Sequence, residues 1–405
     1  MLKYIYGVII IISIIIIVFF IINKDHLMLD LTNYQLDEVK KYVDKYDLLL
    51  EIKEEYSNKV KAGYVINQSI KSNTKIVKGS KLIVVISLGE NYIETYQKYQ
   101  VNELGKVPIM MYHGIVNLKN EETFSIGGNV DQDGYNRTIE AFKNDIEMYY
   151  QKGYRMIRLK DYIDGNINVE LGKSPIILTF DDGNQNNIKV LDKENGNLII
   201  DPNSAVGILE SYKKKYSDFN ITATFFLNEG LFEQPLYNED IIKWLINNGY
   251  DIGNHTKGHI NFSNVTKEEA QSSIAYMYKR FDEIIPNQYV NIISLPFGSP
   301  FTKEHEIFSY ILQGKYDNYN YQTEATLRVG WEPEYSPFHH NFDKTFLKRV
   351  RAWDNNGQDF DLTMCFNMLE DNKFISDGKI DTIVIPNSLE NNLNTLSKTK
   401  KVIKY

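Results

Sequence analysis

The sequence predicts an α/β protein in which a distorted (β/α) barrel follows a small α+β module and a single transmembrane helix. From residue 107 onward, short apolar runs alternate with helical patterns, an order typical of parallel β/α units. The strongest run, SPIILTFDDG, is continuously apolar, as in strands that are covered on both faces. The 405 residues allow two or three domains, and the roughly 300 residues of the second half suit a barrel of such units.

Composition narrows the class of protein further. Hydrophobic residues make up 43% of the chain and aromatic residues 13%, which is enough to fill a large core and excludes a disordered chain. The net charge of -8, without a strongly basic stripe, argues against nucleic-acid binding. Cys365 is the only cysteine, so no intrachain disulfide can form.

The N-terminal residues 1–24 are predicted to be a membrane anchor. The run from Tyr4 to Ile22 carries no charge, and about 20 apolar residues are needed to cross a bilayer as a helix. Lys3 precedes the run and favours keeping that end inside. No small-residue cleavage site follows, so we expect an uncleaved single-pass anchor in the cell membrane, with the rest of the chain extracytoplasmic.

Residues 27–90 have the pattern of a small α+β module. Thr32 is a candidate cap for a helix, and strand-like runs follow at 48–52, 64–68 and 81–87. This order, with LDEV, GYVINQS, KGSKLIVVIS and a final Gly89, resembles a PASTA domain, although the prolines usual in that module are missing. The resemblance implies contact with cell-wall peptidoglycan; a plain spacer is the alternative. Residues 91–105 show no strong pattern and are interpreted as a linker.

The large domain is predicted to span 106–405. Its strand candidates are VPIMMYHG, RMIRL, SPIILTFDDG, NITATFFL, YDIGNH and YVNIISLPFG, and helical patterns separate them. Thr266 and Glu269 form a capping box at the start of one helix. A polar insertion at about 184–220, ending in a helix, interrupts the alternation.

Unusual polar residues follow several of these strands. Asp181 and Asp182 end one strand, and His255 and His259 end another in NHTKGH. Either pair alone is more often a polar turn. Together, a carboxylate and two imidazoles are the ligand set of a catalytic zinc site that leaves one position open for water. Gly258 allows the tight turn that lets both rings face one ion.

The order LTFDDG, TATFFL, DIGNHTKGH and LPFG resembles the NodB-homology polysaccharide deacetylases of carbohydrate esterase family four, and VPIMMYHGI resembles the opening of one branch of that family. The resemblance implies that Asp182, His255 and His259 hold a divalent metal, most commonly zinc, with cobalt, nickel or manganese as alternatives. It further implies that Asp181 is the general base. The backbone N–H of Phe297, at the tyrosine position of the family motif, would hold the oxyanion.

Two departures from the family pattern change the remaining assignments. The late strand TIVIPNS contains no histidine, so His113 of MYHG becomes the candidate acid, with a hydrogen-bonded core histidine as the alternative. Ser294 stands where the family has an arginine that pairs with the base. Arg349 or Arg351 could supply that charge from another loop, and Arg351 and Trp353 are candidates for substrate binding, Trp353 by packing against a sugar ring.

These residues predict a metal-dependent hydrolase that removes N-acetyl groups from an extracellular or cell-wall glycan. The PASTA-like module favours peptidoglycan, whereas the MYHG opening favours polymers of the poly-N-acetylglucosamine type, and the sequence leaves both open. An O-acetyl esterase on polysaccharide uses the same chemistry and is one alternative. A non-catalytic wall-binding protein with a degenerate site is the other, because the motif arginine is replaced at Ser294.

Overall fold

The computed structural model describes residues 26–123 and 125–405. It divides between Thr95 and Tyr96 into two compact units. The anchor predicted at 1–24 lies outside the described residues. Within the described ranges, no helix is long and apolar enough to span a bilayer.

The first unit is a small α+β module built on one helix. Helix α1 (Leu36–Lys45) buries Val39 and Val43 against the sheet side of the module. The Gln35 backbone N–H donates to the Glu38 carboxylate in a capping box, so the N-cap residue is Gln35 and not Thr32 as predicted. The strands are β1 (His26–Leu27), β2 (Leu49–Glu55), β3 (Val65–Gln68), β4 (Lys75–Ile76) and β5 (Lys81–Ser87).

The five strands of this unit form two sheets. Strands β2 and β5 pair in parallel and β3 pairs with β5 in antiparallel fashion, while β1 pairs with β4. Along β5, Leu82, Val84 and Ile86 alternate into the core, which is the period-two pattern of a strand with one buried face.

The segment predicted as a linker at 91–105 is largely structured. Helix α2 (Tyr92–Tyr99) occupies its first half. Tyr96 and Val101 are buried with Val384, which lies in the last part of the chain. The boundary between the two units lies within this predicted linker. The helix and these buried contacts were not expected from the sequence, because the local pattern does not show contacts with residues distant in the chain.

The second unit alternates strands and helices. Its strands are β6 (Ile109–Tyr112), β7 (Ile115–Val116), β8 (Arg137–Thr138), β9 (Tyr154–Met156), β10 (Ser174–Phe180), β11 (Val190–Glu194), β12 (Asn197–Ile200), β13 (Thr224–Leu227), β14 (Asp251–Asn254), β15 (Ile292–Ser294), β16 (Gln313–Tyr316), β17 (Tyr319–Gln322), β18 (Ala325–Leu327), β19 (Val350–Arg351), β20 (Thr382–Ile385) and β21 (Lys401–Lys404). Its helices are α3 (Ile139–Gln151), α4 (Leu159–Ile163), α5 (Ala205–Lys215), α6 (Asn238–Asn247), α7 (Lys267–Ile284), α8 (Phe308–Leu312) and α9 (Leu362–Glu370).

An eight-stranded parallel sheet organises this unit, in the order β18-β15-β14-β13-β10-β6-β19, with β9 beside β10. The sheet is a curled half-barrel, where a distorted barrel was predicted. Its two end strands are drawn together by a single bridge between Leu327 and Leu347, just before β19. Most of the α/β prediction is therefore confirmed, but the sheet is not fully closed by strand pairing.

Both faces of the central strands are covered, as their continuous apolar sequence predicted. In β10, Ile176, Leu178 and Phe180 belong to the core beneath the helices, whereas Ile177 belongs to a second cluster on the inner face. Neighbouring side chains of a strand point to opposite faces. The carboxyl end of β10 is consequently held between two packed layers.

Capping residues set the helix boundaries that the sequence indicated. The Thr266 hydroxyl accepts from the Glu269 N–H at 3.2 Å and the Glu269 carboxylate accepts from the Thr266 N–H at 2.7 Å, so α7 begins with the expected capping box. The insertion at 184–220 folds into the β11–β12 hairpin followed by α5, which is capped by Ser204.

Candidate metal centre and active site

The carboxyl end of β10 places two aspartates at a strained turn. The Asp181 N–H donates to the Tyr112 carbonyl of the neighbouring strand at 2.9 Å, which fixes Asp181 at the sheet edge. Asp182 then has φ of 74° and Gly183 has φ of 69°. A Cβ on Gly183 would lie 2.0 Å from the Leu231 carbonyl oxygen, so only glycine fits. The turn directs the two adjacent carboxylates to different partners.

The loop after β14 brings two histidines to the same place. Thr256, Gly258 and His259 all have positive φ, and this tight path turns both rings toward Asp182. The Asp182 Oδ1 lies 3.2 Å from the His255 Nε2 and 3.4 Å from the His259 Nε2. The three candidate ligand atoms lie within 4.8 Å of one another.

The donor set fits a divalent metal. The His255 Nδ1 is 2.8 Å from the Ser294 carbonyl oxygen and donates its proton there, which leaves Nε2 as the lone-pair nitrogen facing Asp182. That Nε2 is buried without a hydrogen-bond partner. A buried, unpaired imidazole nitrogen beside a carboxylate is costly unless a cation satisfies both. Asp182, His255 and His259 leave room for further ligands in a four-coordinate site.

Asp181 has a separate and fully polar environment. Arg349 donates to its two carboxylate oxygens, with Nη1–Oδ1 at 2.8 Å and Nη2–Oδ2 at 2.7 Å. Ser294 Oγ donates to Oδ2 at 2.9 Å. Arg349 is also held by the Arg328 carbonyl and by the Thr179 hydroxyl. Arg349 therefore supplies the positive charge beside Asp181 that Ser294 cannot provide.

Burial and nearby charges shift the pKa values of Asp181 and His113 in opposite directions. Burial alone would raise the pKa of the Asp181 carboxyl, but the Arg349 guanidinium and the His255 ring lower this pKa below its usual range. Burial also lowers the pKa of His113, while the charges of Asp181 and Asp182 oppose that shift. Asp181 is consequently a carboxylate at neutral pH.

His113 and Phe297 line the same pocket of about 280 Å³ as the aspartates and the paired histidines. The His113 Nε2 lies 4.0 Å from the Asp181 Oδ2, and its Nδ1 is buried without a partner. Phe297 has φ of 57° and packs edge-on against the His259 ring at 4.5 Å. The structure thus brings six of the sequence-predicted residues to one cavity.

Arg351 and Trp353 do not line this pocket. The Arg351 Nη1 donates to the Asp133 carbonyl, and its guanidinium lies 3.7 Å from the centre of the Trp353 ring. Trp353 is only 9% exposed, and the loop at Gly134 packs against its Cβ. The prediction that Trp353 offers a face to a sugar ring was wrong, because Arg351 and this loop cover the ring.

Five further lining residues were not anticipated as site residues from the sequence: Tyr135, Asn136, Asn184, Leu295 and Val329. Asn136 accepts a hydrogen bond from the Gly114 N–H at 2.9 Å and so holds the strand end that carries His113. The adjacent turn, DQDGYN, was a local signal for a structured loop, but nothing in the sequence indicated that it reaches this pocket.

Comparison with known proteins covers both units. The family model described as PASTA domain matches residues 27–88. The model described as Polysaccharide deacetylase matches residues 168–309. YxkH of Bacillus subtilis (strain 168), which carries the name of a polysaccharide deacetylase, is 23% identical over 197 residues, or 48% of this chain. This match spans 57% of the length of YxkH, which is less than two thirds of that relative.

Two solved structures are similar at lower identity. The Streptococcus pyogenes deacetylase PplD in complex with acetate is 18% identical, with a TM-score of 0.44, over 62% of this chain and 94% of that chain. BC0361, a polysaccharide deacetylase from Bacillus cereus, is 17% identical, with a TM-score of 0.42, over 69% of this chain and 69% of that chain.

The matched segment 168–309 contains Asp181, Asp182, His255 and His259, whereas His113 and Arg349 lie outside it. The family match therefore covers the candidate metal centre, and the geometry adds the two residues from beyond the match. Residues 27–88 are therefore similar to the PASTA domain family, and residues 168–309 to the polysaccharide deacetylase family.

Proposed function

We propose that this chain is a metal-dependent hydrolase that removes N-acetyl groups from an extracellular or cell-wall glycan. The observation that carries the proposal is that two adjacent carboxylates have different partners and can therefore serve different roles. Asp182 faces the imidazoles of two histidines, whereas Asp181 faces the guanidinium of Arg349. A metal-assisted hydrolase needs this pair of environments, one for the metal and one for the general base.

Asp182, His255 and His259 would hold the metal, for which zinc is the first choice and cobalt, nickel or manganese are alternatives. When bound, such an ion lowers the pKa of a water molecule and polarises a carbonyl oxygen. The His255 Nδ1 bond to the Ser294 carbonyl would keep the ring in the tautomer that a metal requires. The Gly258 N–H donates to Glu229, which braces the same loop.

The remaining steps belong to the protein side chains. Asp181 takes a proton from the attacking water, and Arg349 holds this carboxylate in position through two hydrogen bonds. The water oxygen bonds to the acetyl carbon, and as the acetamide C–N bond then breaks, the leaving amine nitrogen takes a proton from His113. This step requires the imidazolium form of His113, which burial disfavours and the charges of Asp181 and Asp182 favour. The Phe297 backbone N–H, at the pocket wall, would donate to the acetyl oxygen as negative charge develops there.

The Arg349–Asp181 pair weakens the alternative of a degenerate, non-catalytic site. Ser294 motivated that alternative because the base would lack a positive partner. Arg349, the residue just before β19, supplies the partner and is buried with it. The base is therefore not left without a positive charge, which removes one of the reasons for regarding the site as degenerate.

The PASTA domain favours peptidoglycan as the polymer, and the predicted anchor at 1–24 would place the reaction at the outer face of the cell membrane. The test is an acetate-release assay of the full chain, purified in detergent, on peptidoglycan, N-acetylglucosamine oligomers and acetylated xylan. We expect release from the first two substrates, and its loss in Asp182→Ala. Release from acetylated xylan alone would replace the proposal with an O-acetyl esterase.

A further inference from the structure

A second cavity lies between α7 and the β16–β17 hairpin and has a volume of about 770 Å³, larger than the pocket of the candidate active site. We call it the hairpin groove. Its wall is formed by rings and short polar side chains, chiefly Tyr276, Lys279, Tyr316, Asp317, Asn318 and Tyr319. None of these residues takes part in the proposed reaction.

The hairpin side of the groove is held rigidly. Tyr316 and Tyr319 pair across the turn, and the Tyr319 hydroxyl donates to the Asp282 carboxylate of α7. The Tyr321 hydroxyl donates to the Tyr310 carbonyl, and a Cβ on Gly314 would lie 2.4 Å from that hydroxyl. A wall fixed in this way loses little conformational entropy when a ligand binds.

The chemistry of the lining suits a carbohydrate. Tyr276 is 43% exposed, although the Lys257 ammonium lies over its ring, and Asp317 and Asn318 are exposed at the turn and offer a carboxylate and an amide. A sugar ring combines an apolar C–H face with hydroxyl and acetamide groups, so it needs both kinds of partner. The lining contains neither the large apolar core of a protein interface nor the several cations of a nucleic-acid site.

The groove adjoins the loop that carries the candidate metal ligands. Lys257 lies between His255 and His259 in sequence, and its Nζ is 4.4 Å from the centre of the Tyr276 ring. The Lys257 N–H donates to the Ser273 carbonyl at 3.2 Å, and the Ser273 hydroxyl donates to the Lys257 carbonyl. One end of the groove is therefore fastened to the histidine loop.

We propose that the hairpin groove binds further sugar residues of the polymer whose acetamide enters the active-site pocket, so that long chains bind more tightly than short ones. This inference rests on the proposed function. It predicts that the groove contributes to KM for long substrates, whereas kcat and the reaction of a disaccharide depend on the pocket alone.

The test uses the full chain in detergent with the disaccharide and the hexasaccharide of N-acetylglucosamine. We expect Tyr276→Ala to raise the hexasaccharide KM and Kd by about tenfold, the effect of losing one well-placed aromatic contact. Tyr276→Phe keeps the ring and is expected to keep the affinity. Tyr99→Ala is the matched control, since Tyr99 is also 43% exposed and also lies under a lysine, Lys98.

Binding and activity separate the two proposals. Weaker hexasaccharide binding in the Tyr276 variant supports the groove even where no acetate is released, a result that would overturn the proposed function alone. Equal hexasaccharide Kd values in wild type and variant, or no binding by either, overturn the groove proposal, whatever the activity. Thermal unfolding of each variant checks that the fold is intact, which the exposure of Tyr276 leads us to expect.

Discussion

Arg349 and Asp181 form a bidentate ion pair at the end of strand β10, although 168 residues separate them in sequence. Arg349 is fully buried, and Asp181 is 2% exposed. Two parallel N–H···O bonds fix the orientation of the carboxylate as well as its charge. The Asp181 carboxylate is thereby fixed against Arg349, whereas the adjacent Asp182 carboxylate faces the two histidines. The two carboxylates are therefore suited to different roles.

We expect Arg349→Lys to lower kcat by about 10–100-fold, part of the roughly 10²–10⁴-fold that a positioned general base contributes. Lysine keeps the positive charge but cannot donate the two parallel hydrogen bonds of the planar guanidinium, so the Asp181 carboxylate loses its fixed orientation. Steady-state acetate release measures the effect. Arg351→Lys, two positions along, is the control and is expected to change kcat little.

Arg349→Met removes the charge and tests the same pair through stability. Leaving Asp181 buried without its partner is expected to cost about 3–5 kcal/mol in the free energy of unfolding. Denaturant unfolding of both proteins gives this difference. An unchanged midpoint would mean that the ion pair does not exist in solution.

The metal centre can be examined without any activity measurement. We expect Asp182→Ala to lose bound metal after dialysis, whereas Asp181→Asn retains it, because only Asp182 faces both imidazoles. Mass spectrometry of metal content per chain separates the two variants. Zinc at 100-fold excess over its Kd is also expected to stabilise the wild type by about 2.7 kcal/mol, and Asp182→Ala by much less. Equal metal retention in both variants would remove Asp182 from the site.

Local patterns in the sequence were sufficient to predict where the strands end and where several helices begin. Asp182, His255 and His259 each follow a buried strand, and parallel strands bring their carboxyl ends to one edge of the sheet. The sequence could not show whether Arg349 or Arg351 pairs with Asp181, because the answer depends on the register in which β19 pairs with β6. That register pairs Val350 with Met110, and no local pattern encodes it.

The same limit explains the misplaced role of Trp353. The sequence around a tryptophan does not show whether its ring is exposed to solvent or covered by other residues. Here the loop at Gly134 comes so close that a Cβ on that glycine would lie 2.7 Å from the Trp353 Cβ. Contacts between segments so far apart in the chain leave no periodic signal.

Trp353 is therefore expected to act through packing. Trp353→Ala should lower the free energy of unfolding by about 3–5 kcal/mol, as for other large buried side chains, and leave the KM for a disaccharide substrate unchanged. Chemical denaturation and kinetics on the same preparation measure both quantities. A raised KM at unchanged stability would return Trp353 to the substrate site.

The buried carboxyl of Glu103 predicts a pH dependence of stability away from the candidate active site. Burial raises the pKa of Glu103 well above its usual range, and the charge of Asp377 adds to the shift. The folded chain thus holds this proton more tightly than the unfolded chain does. The contribution of Glu103 to stability is greatest below its unfolded pKa of about 4.3 and declines as pH rises toward the raised folded pKa.

Glu103→Gln keeps a carbonyl oxygen for the Val384 N–H, which the wild-type carboxylate binds at 2.7 Å, but it cannot ionise. We therefore expect the stability of wild type relative to this variant to fall as pH increases from about 4 to 8. Urea unfolding at several pH values measures the difference, with Glu121→Gln as an exposed control. A difference that stays constant would mean that folding does not shift the pKa of Glu103, and one that grows in favour of the wild type with rising pH would mean that folding lowers this pKa; either result contradicts the prediction.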